Sequence, residues 1–193
     1  ALTSINHMGF VLLGSFAGIS AQTPQGAVYG ISGAIFQMFN HAAAIGILFM
    51  LSGYIHEQAG TRNIDELRGL RIGMPRTALV LILGSLAGMG VPIYSSFLSE
   101  WMVILGAISV NTYYAAAVLI PLLTVAYFLW MIKRTVLSGL PEHTHYHDLH
   151  ARAMIGLLTY LAPLFLLLIF PSLLLGLVDP LSLWLYQSAG GVR

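Results

Sequence analysis

An all-α, polytopic transmembrane helical bundle of about six spans is the fold class this sequence predicts, and three observations predict it. Of its 193 residues, 58% are hydrophobic and only 8% charged, with a mean hydropathy of +0.84, whereas soluble domains carry about 25% charged residues. Apolar runs long enough to cross a bilayer, roughly 17–25 residues each, succeed one another along the chain. The charges concentrate in two stretches, Glu57 to Arg76 and Lys133 to Arg152, which read as aqueous loops. Helices follow because lipid offers the backbone no hydrogen-bond partners, so each span must satisfy its own polar groups.

In chain order, the first span covers 2–19 and the second 28–54, with an uncharged link between them. After the first charged stretch comes a third span at 75–91 and a short fourth at 96–110. Gly90, Pro92, Ser95 and Ser96 precede the fourth and leave only a brief apolar run around Glu100, which reads as a broken helix near Pro92–Ser96. Interrupted helices are tolerated in membranes where the freed backbone groups line a protein or water-filled interior. A tight turn between two spans would leave the same local string. The fifth span, 114–137, ends on Lys133 and Arg134, placed to snorkel to the interface, and the sixth covers 152–177. Together they make a single transmembrane domain over 1–193. Ala1 opens inside an apolar helix pattern with no n-region and no initiator Met, so the chain reads as a fragment or as the second half of a split protein.

Counting three spans between the two charged stretches puts them on opposite sides of the membrane. Yet one holds Arg62, Arg68, Arg71 and Arg76 and the other Lys133, Arg134 and Arg152. The positive-inside rule therefore cannot orient the chain unless the count around Pro92 is off by one. A net charge of +1 gives no long-range pull on nucleic acid, so no nucleic-acid partner is expected, and no basic run suggests recruitment to anionic lipid. With zero cysteines the chain has no disulfide, thiolate metal site or iron–sulfur cluster of its own.

Glu100 is the leading functional residue. An ionised side chain at membrane depth costs at least ~2.5–3.5 kcal/mol on insertion scales, so such a residue normally faces a polar interior and serves an ion, proton or substrate path. His7 and His41 also fall at membrane depth, each beside an amide, Asn6 and Asn40. Histidine takes up and releases protons at physiological pH, so these groups could relay protons if water links them. Neutral histidines that tie helices together by hydrogen bonds are the plainer reading. For His41 the proton role gains from Gln37 one turn earlier on the same face. The tract from Pro141 to His150 holds four of the seven histidines, but its spacing matches no closed zinc site and a solvated loop explains it.

Four strings then suggest a family: Thr3 to Gly14 (TSINHMGFVLLG), Gly33 to His41 (GAIFQMFNH), Thr61 to Leu70 (TRNIDELRGL) and Phe97 to Trp101 (FLSEW). In this order they resemble the antiporter-like subunit M of respiratory complex I, within a superfamily shared with membrane-bound hydrogenases and multisubunit sodium/proton antiporters. Beyond residue 110 the chain matches only as apolar helices. The resemblance implies the C-terminal part of a non-redox, proton-translocating subunit of an NADH:quinone oxidoreductase. It would bind no cofactor or metal itself, while NADH or another donor, flavin, iron–sulfur clusters and quinone belong to other subunits. Glu100 matches the carboxylate that subunit M carries in a broken helix. His7 and His41 match polar positions near the central hydrophilic axis. The family's glutamate–lysine pair and central lysine lie upstream of residue 1. The implied partners are other membrane subunits, including other antiporter-like ones, the lipid of an energy-transducing membrane, and a companion chain or segment carrying the N-terminal half. A cation/proton antiporter or hydrogenase-linked subunit is the first competing reading, and a structural scaffold subunit the second.

Overall fold

In the computed structural model, which describes residues 2–139 and 147–191, helices α1 (Leu2–Ile19) and α2 (Pro24–Ala59) form an antiparallel pair. Thr23 caps α2, its Oγ1 accepting from Gly26 N at 3.1 Å, and Pro24 takes the first helical position, where its missing N–H is no loss. At the far end Gly60 adopts a left-handed conformation, φ +68°, and its N–H closes on His56 O at 2.8 Å. With 36 residues, α2 runs about 54 Å at 1.5 Å per residue. It outreaches a hydrocarbon core of about 30 Å and is the strut on which the other helices pack.

Short side chains set that packing. A Cβ on Gly30 of α2 would lie 2.6 Å from Gly14 O and from Gly18 N of α1, so the two backbones touch, as small residues allow in membranes.

After the turn α3 (Leu70–Gly73) come α4 (Pro75–Gly88) and α5 (Ser95–Val110), of 14 and 16 residues. At about 21 and 24 Å, neither crosses ~30 Å of hydrocarbon alone. Their contacts along α2 show that they point the same way. Gly84 and Gly88 of α4 lie against Leu48, Ser95 bonds Asn40, Val103 meets Gly33, Gly106 meets Gly30, and Ser109 reaches Gly26. The third and fourth spans of the sequence reading are thus two halves of one crossing. Its break, 89–94, sits where Gly90 takes φ +67° and Pro92 can donate no hydrogen bond.

A 3-10 segment, Thr112–Val118, and α6 (Leu119–Thr135) return to the starting side. The sixth predicted span is divided into α7 (Ala151–Leu158), α8 (Ala162–Ile169) and α9 (Ser172–Ser188), with Pro163 and Pro171 at the restarts. Leu167 of α8 packs with Phe36 and Met102, and Tyr186 of α9 packs with Ala21 and Ala27, so this last segment also descends along α2.

Merging α4 and α5 changes the parity. The two charged stretches lie at the same end: Arg134 pairs with Asp65, Gly69 N bonds Ser138 Oγ at 3.3 Å, and Tyr54 Oη donates to His147 O at 2.9 Å. Asp148 accepts from Arg76 N and Thr77 N at 2.8 and 3.0 Å. Beneath them Ile47, Leu51, Met74, Val80, Phe128, Leu149 and Leu164 form the main apolar core. The count that placed the basic loops on opposite sides is corrected, because it took a helix break for a membrane turn.

Candidate functional site

The break in the α4–α5 crossing builds the site. Side chains on a helix lean toward its N-terminus, so Glu100, one turn after Ser96, projects back toward the break. There Gly90 leaves the space it needs: a Cβ on Gly90 would stand 2.5 Å from Glu100 Oε2. The carboxyl is 5% exposed. It lies between the C-terminal end of α4, whose carbonyls disfavour an anion, and the N-terminal end of α5, whose N–H groups favour one.

Gln37 of α2 is fully buried, and its side chain lies beside the Glu100 carboxyl. Its Oε1 accepts from Ser99 Oγ, and its Nε2 lies 3.1 Å from His7 Nδ1. The His7 ring in turn meets the His41 ring, centroids 5.1 Å apart and planes inclined by 48°. Glu100, Gln37, His7 and His41 therefore stand as a row of adjacent polar side chains across α5, α2 and α1, with a hydrogen bond between Gln37 and His7 and ring packing between the two histidines. His7 is 2% exposed and His41 half-buried.

A second set of bonds holds this line in place. Asn40 Nδ2 donates to Ser95 O at 3.1 Å and to Ser99 Oγ at 2.8 Å, while Ser95 Oγ donates to Asn40 Oδ1 at 2.7 Å. Asn40 thus ties the start of α5 to the middle of α2. Asn6 Nδ2 donates to Thr124 Oγ1 at 2.6 Å and carries the polar seam to α6. Buried atoms without a protein partner cluster at the same level: His41 Nδ1, Ser85 Oγ, Tyr94 Oη and Ser96 Oγ. Groups of this kind are normally satisfied by ordered water.

All three residues singled out in the sequence, Glu100, His7 and His41, come together here. Sequence reasoning missed Ser99 as a bridge and Gly90 as the room for the carboxyl, since neither carries a charge signal. It also missed Asp179, an acid in an apolar run that bears the same mark as Glu100. Of the histidine tract, Pro141 to Tyr146 lie outside the described residues, and among the described residues no group of three or more His, Cys, Asp or Glu could hold a metal.

Comparison with known proteins accords with this architecture. The family described as NADH:quinone oxidoreductase/Mrp antiporter, TM, matches residues 1–125. NADH-quinone oxidoreductase subunit M of Rhodobacter capsulatus is 34% identical over 97% of the chain and 36% of its own length. F(420)H(2) dehydrogenase subunit M of Methanosarcina mazei is 35% identical over 70% of the chain and 26% of its own length. Among solved structures, respiratory complex I from Thermus thermophilus with bound NADH has a chain that superposes with a TM-score of 0.81 at 30% identity, over 96% of this chain and 38% of that one. The Mrp complex from Dietzia sp. DQ12-45-1b shares the fold, with a TM-score of 0.74 at 21% identity, over 96% of this chain and 42% of that one. The chain spans about a third of the length of the curated relatives it matches. It is an integral membrane protein and belongs to the NADH:quinone oxidoreductase/Mrp antiporter transmembrane family.

Proposed function

We propose that this chain supplies part of a transmembrane proton path in a redox-driven pump, an NADH or related donor:quinone oxidoreductase whose redox centres reside in other subunits. The observation that carries the reading is the row of adjacent polar side chains from Glu100 past Gln37 to His7 and His41 at the helix break. Glu100 alternates between protonated and ionised forms as neighbouring charges change. Gln37 cannot itself ionise; it orients the carboxyl toward the histidines, and internal water at the unpartnered hydroxyls supplies the remaining proton carriers. The relay needs little driving energy. Moving one charge through 100 mV costs about 2.3 kcal/mol, equivalent to shifting a pKa by under two units at 1.36 kcal/mol each. With every described Lys and Arg at one end, the positive-inside rule puts that end on the cytoplasmic or matrix side and the uncharged end where protons leave.

The test is proton translocation measured alongside electron transfer in membrane vesicles that hold the intact assembly, wild type against Glu100→Gln. The expected result is fewer protons per electron with the complex assembled and electron transfer retained. Normal pumping by Glu100→Gln would falsify the role given to Glu100. A cation/proton antiporter is the second reading, favoured by the fold shared with the Mrp complex; transport that depends on sodium would select it. Loss of assembly on changing Glu100 or His41, without a separate transport defect, would instead mark a scaffold.

A further inference from the structure

Between the two ends of the bundle the described residues hold two carboxylates, Glu100 and Asp179. Asp179 sits in α9 within an otherwise apolar run whose other faces point outward, Leu177 and Trp184 being 77% and 60% exposed. It is half-buried, and its Oδ1 accepts from Ser32 Oγ of α2 at 2.6 Å. Ser32 also lies 2.9 Å from Ser182 Oγ. Both serines are fully buried. A carboxylate bonded by one sequestered hydroxyl, itself paired with a second, is thus placed at the α2–α9 contact.

Its depth is fixed by α2. Ser32 stands eight residues inside Pro24, about 12 Å from the uncharged end at 1.5 Å per residue, and Gln37 is about 7.5 Å deeper. On the same ridge of α2, Phe36 lies one turn from Ser32 and one turn from Asn40. Phe36, Met102 and Leu167 pack together and make an apolar layer between the Glu100 line and the Asp179 cluster. The order along α2 is therefore polar line, apolar layer, second carboxylate, uncharged end.

We infer that Asp179 is the exit-side proton station of this chain, taking the proton that Glu100 gives up and passing it to the water at the uncharged end. The inference rests on the reading of Glu100 given above. In the step, the O–H bond of the Glu100 carboxylic acid breaks and an O–H bond forms on the Asp179 carboxylate, through water admitted past Phe36. Asp179 then loses that proton to the aqueous phase and regains its hydrogen bond from Ser32, with no net change in the chain. The apolar layer separates loading from release, so a proton on Asp179 does not run back to Glu100.

The experiment compares wild type, Glu100→Gln, Asp179→Asn and Asp179→Glu in vesicles with the full assembly, reading assembled complex, electron transfer and protons moved per electron. Asparagine keeps an oxygen to accept from Ser32, so docking of α9 is retained while ionisation is lost. The expected result is that Asp179→Asn lowers protons per electron to the level of Glu100→Gln at normal assembly, and that Asp179→Glu restores them. Normal pumping by Asp179→Asn alongside a defective Glu100→Gln overturns this inference and leaves the Glu100 reading standing. Normal pumping by Glu100→Gln removes the reading itself. If both Asp179 variants lose pumping only in proportion to lost complex, Asp179 is a packing anchor and the inference is wrong.

Discussion

Gly90 shows how one residue without a functional group controls another that has one. Its φ of +67° lies in the left-handed region, and the space where a Cβ would stand is filled by the Glu100 carboxyl. Alanine there must accept a backbone conformation that costs roughly 1–2 kcal/mol and must also push the Glu100 carboxyl out of the space it fills. For Gly90→Ala we expect protons per electron to fall, with a modest drop in thermal stability of the assembled complex. Unimpaired pumping would show that Glu100 does not depend on this seat. The Asn40–Ser95–Ser99 bonds act in a complementary way, since each buried donor left without a partner costs about 1–3 kcal/mol.

The helix break works as an element only because both of its halves are anchored. On the α5 side Asn40 holds the first turn. On the α4 side the anchor comes from a distant part of the chain. Asp148 accepts from Arg76 N, Thr77 N and Thr77 Oγ1 at 2.8–3.0 Å, and so serves as the N-cap that Met74 cannot provide. Burial pushes the Asp148 carboxyl up, but its hydrogen bonds from Arg76, Thr77 and Leu149 outweigh that and hold it below the usual carboxylate range. A depressed folded-state pKa means the clasp contributes fully above the unfolded value, ~3.9, and is lost as pH falls through the lower folded value. Mild acid should leave it closed. Asp148→Ala is expected to cost about 0.5–2 kcal/mol, the range for a lost N-cap, read as a lower unfolding temperature in detergent. The mutant should also lose stability less steeply than wild type in strong acid. An unchanged melting temperature would remove the cap assignment.

For the whole molecule, the merged α4–α5 crossing decides orientation. Residues 68 and 152 then share one face of the membrane, and residue 112 lies on the other. The chain contains no cysteine, so Arg68→Cys, Arg152→Cys and Thr112→Cys each offer a single thiol to a membrane-impermeant reagent. Sealed vesicles of one orientation should label the first two together and the third only from the opposite side. Labelling of positions 68 and 152 from opposite sides would mean that α4 and α5 are separate crossings. The ion pair between Arg134 and Asp65 contributes little to this arrangement in energy, since exposed pairs are worth about 0–1 kcal/mol. The connection through α4 and α6 sets it.

The amino-acid sequence by itself determined that the chain lives in a membrane, that it is helical and that its helices are interrupted near Pro92, and it singled out Glu100, His7 and His41 as candidates. Those are local or compositional matters: apolar run length, proline and glycine chemistry, and the cost of a charge in lipid act on neighbouring residues or on totals. Only the tertiary structure decided that α4 and α5 form one crossing, that both basic stretches share an end, and that Gln37 sits between Glu100 and His7. A helix break and a membrane turn use the same residues, and what separates them is which part of α2 each half packs against. Hydrogen bonds such as that between Asn6 and Thr124, 118 positions apart, leave no periodic mark in the sequence because the fold alone brings their partners together.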